Sequence, residues 1–173
     1  MYNQYIRLLV PIALLGLSGC AAKQTISGFQ KAPPKNICVA RHEAVRENFH
    51  EALTEALNNN NSQTKTIRAN YVEKHHEWRP TVEDQDLSEC DAIAFYVANW
   101  TWDITMYMYF ANIWITDTDM NEKIAQATYM TGGGPDKWIN AREKVNEMVA
   151  GMYSPVKDLA PVQYPQSTEA SPE

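Results

Sequence analysis

The chain has 173 residues, 15 of them Lys or Arg against 21 Asp or Glu, for a formal net charge of −6. That length is enough for one domain with its own core. The acidic balance excludes the clustered Lys and Arg that neutralising phosphates would need, so no nucleic acid is expected as a partner. The acidic residues are scattered, which favours solvation and specifies no surface.

The first elements in chain order are those of a secretory leader. Arg7 supplies a positive start, residues 8–17 supply an apolar run interrupted by Pro11 and Gly16, and Ser18 and Gly19 end it with small side chains. About ten apolar residues are too few to span a bilayer, which takes roughly twenty. Leu17-Ser18-Gly19-Cys20 resembles the lipobox of bacterial lipoproteins. The resemblance implies that residues 1–19 are a signal peptide and that Cys20 becomes the mature N-terminus, carrying a diacylglyceryl group on sulfur and an acyl chain on its amine. Several acyl chains together hold a protein on a membrane durably, because each buried CH₂ contributes about 0.8 kcal/mol. Ala21, where an Asp would mark retention, implies transfer to the outer membrane with the domain facing the periplasm. The competing reading is an ordinary cleaved leader with Cys20 incidental.

Residues 20–35, with Pro33-Pro34 and no apolar period, read as the lipidated Cys and a flexible tether. The folded body is expected over 36–153, and the Pro, Ser and Glu-rich stretch 154–173 as a disordered tail. Residues 37–40 form a short apolar strand. Val45, Phe49, Ala52, Leu53, Ala56 and Leu57 then recur at helical spacing, with Arg46, Glu47, Glu51 and Glu55 opposite. Asn58 to Asn61 ends this helix, since asparagine tolerates left-handed backbone. Residues 63–72 read as a second strand and 73–89 as a long polar loop. Residues 92–101, 105–116 and 123–130 read as three strands, with a turn over 117–121. Gly132-Gly133-Gly134 breaks the sheet and Pro135 opens a second helix with Trp138, Ala141, Val145, Met148, Val149 and Met152 on one stripe. The order β-α-β-β-β-β-α predicts a two-layer α+β sandwich, an antiparallel-rich sheet of about five strands with two helices on one face.

Assigning Cys20 to lipid leaves Cys38 and Cys90 as a pair in an oxidising compartment. A bridge between them would contribute roughly 3 to 4 kcal/mol by loop-closure entropy; two separate buried thiols are the alternative.

The most distinctive stretch is Asn99-Trp100-Thr101-Trp102-Asp103, whose tryptophans share a face if the chain is extended. Together with Ile37-Cys38, Val45-Arg46-Glu47, Tyr107-Met108, the Gly132-Gly133-Gly134 turn and Lys137, it resembles the small Sbal-type bacterial lipoproteins. The resemblance implies a lipoprotein with a compact α/β fold and brings no activity with it. Residues 75–86 and the acidic tail depart from the pattern and inherit nothing.

Trp100 and Trp102 read either as a binding platform or as a cap on the core at a bend. Strand 105–116 divides, on strict alternation, into Tyr107, Tyr109, Ala111, Ile113 and Ile115 on one face and Met106, Met108, Phe110 and Trp114 on the other. If helices cover only one face, the second is an exposed apolar strip of the kind that marks contact sites, unless the long loop or a partner covers it. His75, His76, Glu77, Asp84 and Asp86 match no metal-ligand spacing, so no metal and no cofactor is expected. No nucleophile elbow, phosphate loop or acid–base set is present, so no catalytic residues are assigned and the chain is not expected to be an enzyme. The expected role is a lipid-anchored binding or adaptor domain for an envelope protein or component. A small-ligand or metal-binding module is the alternative, and oligomeric state is left open.

Overall fold

The computed structural model of the chain describes residues 22–75, 77–83, 87–134 and 137–154. The leader, Cys20 and the tail beyond Ser154 lie outside them. Among the described residues the elements are β1 (Lys23–Ser27), β2 (Asn36–Arg41), α1 (Glu47–Asn59), β3 (Gln63–Lys74), β4 (Glu77–Val82), β5 (Ala92–Asp103), β6 (Thr105–Thr116), β7 (Lys123–Met130) and α2 (Ala141–Tyr153).

The strands form one curled, half-barrel sheet in the order β1-β7-β6-β5-β2-β3-β4. The expected two-layer sandwich with about five antiparallel-rich strands is therefore wrong. The sheet is mixed, because β2 runs parallel to both β3 and β5, and it has seven strands. Two strands were missed for separate reasons. β1 lies inside the stretch expected to be tether, yet it pairs antiparallel with β7 from Lys23↔Met130 to Ser27↔Gln126. Its only large apolar side chain, Ile26, gives no period to detect. β4 lies inside the expected polar loop and pairs with β3 from Ala69↔Val82 to Lys74↔Glu77. It contains Pro80, which a sheet tolerates on an edge strand because no neighbour needs its missing N–H.

One sheet face is apolar and packs against both helices. Ile37, Val39, Ala94, Tyr96, Ala111, Ile113, Ile115 and Ala127 meet Phe49, Leu53, Leu57, Val145, Met148 and Met152. The α1 stripe is the expected one from Phe49 to Leu57, with His50 added to its buried side, while Val45, expected on it, precedes the helix and is buried there. α2 begins six residues beyond Pro135, because the Asn140 side chain accepts from the backbone N–H of Arg142 at 2.9 Å and caps the helix. Trp138 thus precedes the helix and is 41 % exposed, outside the stripe assigned to it.

The opposite face is also covered. Ile93, Phe95, Val97, Trp114, Cys38 and Cys90 form a second cluster, and Tyr71 and Trp78 from the curled β3–β4 edge pack on it. The Phe95 and Trp114 rings stack at 5.6 Å. Cys38 and Cys90 pair with Cα atoms 5.6 Å apart, closing a separation of 52 residues. A bridge over a loop of that length contributes about 4 kcal/mol by chain entropy.

Candidate functional site

The apolar face expected to be bare on β6 does not exist as one face. β5 and β6 pair from Ile93↔Thr116 to Asp103↔Thr105, but the register shifts between Asn99 and Trp100. Asn99 pairs with Phe110 and Trp100 with Met108, so Tyr109 is an extra residue on β6. One inserted residue swaps the side-chain phase on either side of it. Met108 therefore shares the helix face with Ala111 and Ile113 and is 1 % exposed. Trp114 and Phe110 turn to the second cluster, Trp114 at 9 % exposure and Phe110 half-buried. The four residues expected to line one strip are divided: Met108 on the helix face, Phe110 and Trp114 on the second cluster and Met106 at the tip. The Tyr109 carbonyl freed by the bulge accepts from Thr131 N–H at 2.9 Å.

What remains exposed is the end of the β5–β6 ribbon. Trp102 is 58 % exposed, Met106 51 % and Ile104 79 %. The cross-strand pairs Trp100↔Met108 and Trp102↔Met106 lie on one side of the ribbon. Trp100 is half-buried and meets the Phe49 ring edge-on at 6.1 Å. The Arg46 guanidinium lies 5.4 Å from its ring centroid and touches the Met106 sulfur. On the other side Lys137 pairs with the Asp103 carboxylate beside the rings of Tyr107 and Trp138. Trp138 donates from Nε1 to the Asp103 carbonyl at 3.2 Å. The hydrogen bond to Asp103 holds the Lys137 ammonium above its usual range, so it stays charged. Ile104, at the turn, sits at φ 62°, a left-handed conformation that a β-branched residue adopts only under strain.

Of the expected candidates, Trp100, Trp102 and Met106 come together here; Met108 supports them from the core, and Phe110 and Trp114 serve the fold. Sequence reading missed Arg46, taken as part of a solvated helix face, and the Asp103–Lys137–Trp138 cluster. The only sequence signal for the latter was the shared occurrence of Asp103 and Lys137 in the resemblance.

A second polar group lies beneath α1. Tyr96 Oη accepts from the His42 backbone N–H at 3.1 Å and meets His50 Nδ1 at 3.1 Å, while His50 Nε2 meets Thr66 Oγ1 at 2.9 Å. A neutral His50 that accepts at Nδ1 and donates at Nε2 satisfies all three groups. Burial lowers the pKa of both His42 and His50 from the ordinary histidine value and raises that of Tyr96. The His42 ring lies 4.0 Å from that of Tyr71. A cavity of about 320 Å³ opens beside it, between Arg41, His42, Tyr71 and Glu83. The two hydroxyls on either side of the His50 ring tie α1 to β5 and β3. The group's chemistry is that of a lock between α1 and the sheet.

Among the described residues no cluster of His, Cys, Asp or Glu could hold a metal ion. His76, Asp84 and Asp86 lie outside the described residues, and His75 forms the exposed β3–β4 turn at φ 53°. No described helix is long and apolar enough to cross a membrane.

No family model and no curated protein matches the chain. Solved structures do. A PelC dodecamer from Paraburkholderia phytofirmans is 5 % identical at a TM-score of 0.47, covering 76 % of this chain and 94 % of that one. A point variant of it is 9 % identical at a TM-score of 0.45, with coverage of 77 % and 93 %. A PDZ domain protein from Parabacteroides distasonis is 10 % identical at 0.35 and covers 81 % of this chain and 37 % of that one. At these scores the likenesses carry no argument about activity or assembly.

Proposed function

We propose that this protein is a lipid-anchored lipoprotein of the outer membrane, facing the periplasm, whose domain binds an envelope component and catalyses no reaction. The observation that carries the reading is the exposed end of the β5–β6 ribbon. Trp102, Ile104 and Met106 project there together, although both faces of the same strands are covered farther down. Large apolar side chains gathered at a protruding tip mark a contact surface more often than scattered ones. The Leu17-Ser18-Gly19-Cys20 sequence supports the anchor, and the Asn99 to Asp103 motif, shared with the Sbal-type lipoproteins it resembles, builds this end.

The test has two arms. Growth with an alkyne fatty acid should label the chain, and Cys20→Ser should abolish the label. A photo-crosslinking residue at 104 or 106 should give an adduct in cells, to protein or to lipid by intact mass, while one at Glu122, at the far end of the sheet, should give only background. Background at all three positions would sink the binding reading.

A small-ligand module is the second reading, favoured by the cavity beside His42. A thermal shift on adding envelope metabolites that His42→Phe removes would support it, since binding only the native state raises its stability.

A further inference from the structure

We propose that the contact made by the ribbon end is with the lipid bilayer itself, and that Trp102, Ile104 and Met106 seat in its headgroup region. This rests on the anchor reading of Cys20 and goes beyond it, because a lipid anchor alone leaves the domain free to face any direction.

The first argument is where the chain begins. β1 starts at Lys23, which pairs with Met130, and Met130 pairs with Phe110 on β6. The chain therefore enters the fold at the same end of the sheet from which the β5–β6 ribbon protrudes. From Asn99, which pairs with Phe110, to Asp103 the ribbon continues for four steps, about 13 Å at roughly 3.3 Å per residue, with Ile104 beyond. β1 and β6 are two strand steps apart, and a twist of about 20–25° per step shortens that projection to about 9 Å. Two residues, Ala21 and Ala22, separate Cys20 from Lys23, three steps with a reach of at most about 10 Å. With Cys20 held at the membrane surface, the reach of the connection is about the projection of the ribbon, so Ile104 and the side chains at the ribbon end are brought to the bilayer.

The second argument is the grading of side chains. Ile104 leads, Trp102 and Met106 follow with Trp138 beside Asp103, and Tyr107 and Tyr109 sit behind them. Aromatic rings with one polar edge collect at the membrane–water boundary, with purely apolar groups beyond them. Charge at this end is arranged to suit. Asp103 is neutralised by Lys137, and Arg46 over Trp100 remains a cation for lipid phosphates.

Depth follows from the backbone. Among the described residues, β2 pairs with β5 only to Ala94 and β7 pairs with β6 only to Phe110, so the ribbon beyond has two strands. The outward N–H and C=O groups of its two edges would cost several kcal/mol each in hydrocarbon. Headgroups and their water satisfy them, so the seat is interfacial, about 5–10 Å deep.

The experiment uses the mature acylated protein in phosphatidylcholine–phosphatidylglycerol vesicles, with and without bromine on the upper acyl chain. Tryptophan emission should fall in the brominated vesicles, and Trp102→Phe should lose the larger part of that fall. Ile104→Asp, a change at a highly exposed position, should reduce it as well while leaving the near-ultraviolet circular dichroism unchanged. Equal emission in both vesicles, with the acyl mass present on Cys20 and the protein floating with the lipid, would overturn the seat and leave the anchor standing. Crosslinking between two copies through position 102 without quenching would overturn it in favour of self-association. Absence of the acyl mass would remove the anchor and the seat together.

Discussion

The two halves of the β5–β6 hairpin are made of the same kinds of residue and meet opposite fates. Ile93 to Ala98, with their partners Ala111 to Thr116, are 9 % exposed or less, apart from the half-buried Asn112. Trp102, Ile104 and Met106, equally large and apolar, stand in the open. Composition does not separate these halves. Neighbours do: the lower half has β2 and β7 beside it, helices on one face and the β3–β4 curl on the other, while the tip beyond Trp100 and Met108 outruns all of them. An apolar side chain is a core residue only where the topology supplies something to cover it.

The comparison can be broken most forcefully by truncation. Ile113→Ala, at a position with no exposure, should cost about 2–5 kcal/mol in denaturant unfolding, with loss of transfer energy and a cavity. Trp102→Ala should cost under about 1 kcal/mol because most of its surface is already in solvent. Equal costs would mean that the ribbon end is packed against something within the chain.

The next test concerns the edge at which the chain enters. A Cβ on Gly28 would lie 3.0 Å from the Met152 carbonyl oxygen, a backbone atom that already accepts from Phe29 N–H. Gly28→Val should therefore destabilise the domain by about 1–3 kcal/mol through overpacking. Its hydrogen exchange should speed up in β1 before it does in β5. No effect on either would return residues 22–28 to a free tether.

These two regions also show what could be read from the sequence. The α1 stripe was legible because six apolar positions repeat at helical period, and the Asn61 stop because its φ of 68° is one asparagine accepts. Cys38 and Cys90 were legible by pairing the two cysteines that the expected lipidation of Cys20 leaves over. The face assignment on β6 was not, because nothing in Tyr107-Met108-Tyr109-Phe110 announces that Tyr109 is a bulge, and one extra residue exchanged the faces on its two sides. β4 was hidden by Pro80, which interrupts the alternation of Trp78 and Val82 with polar residues, and β1 by its shortness. The Trp100–Trp102 pair was found from its spacing. The strain at Ile104 and the partners Arg46, Lys137 and Trp138 come from distant parts of the chain, where no local pattern points.

Smaller effects carry the opposite sign. Ile104→Gly removes a β-branched side chain from left-handed backbone and loses little burial, so it should stabilise the isolated domain by about 0.5–1 kcal/mol in thermal unfolding. If the seat in the bilayer is correct, the same change should weaken the ribbon's contact. Stability and contact would then move in opposite directions.

The pH dependence comes from the group beneath α1. Burial holds His42 and His50 below the ordinary histidine value, so the fold binds their protons less readily than the unfolded chain does. Their stabilising contribution is present above the unfolded value of about 6.5 and is lost as pH falls from there through the folded values. Unfolding between neutral and mildly acidic pH should show this slope, and His50→Gln should flatten it. The ribbon end contains no histidine and should not contribute.

Hydrogen exchange along the hairpin, read on the acylated protein on vesicles and on the leaderless Cys20→Ser chain in buffer, tests the central claim most directly. The account predicts that amides of residues 100–108 slow on the vesicles while those of 111–116, already enclosed by the sheet, do not change. Identical exchange over 100–108 in the two states would contradict it.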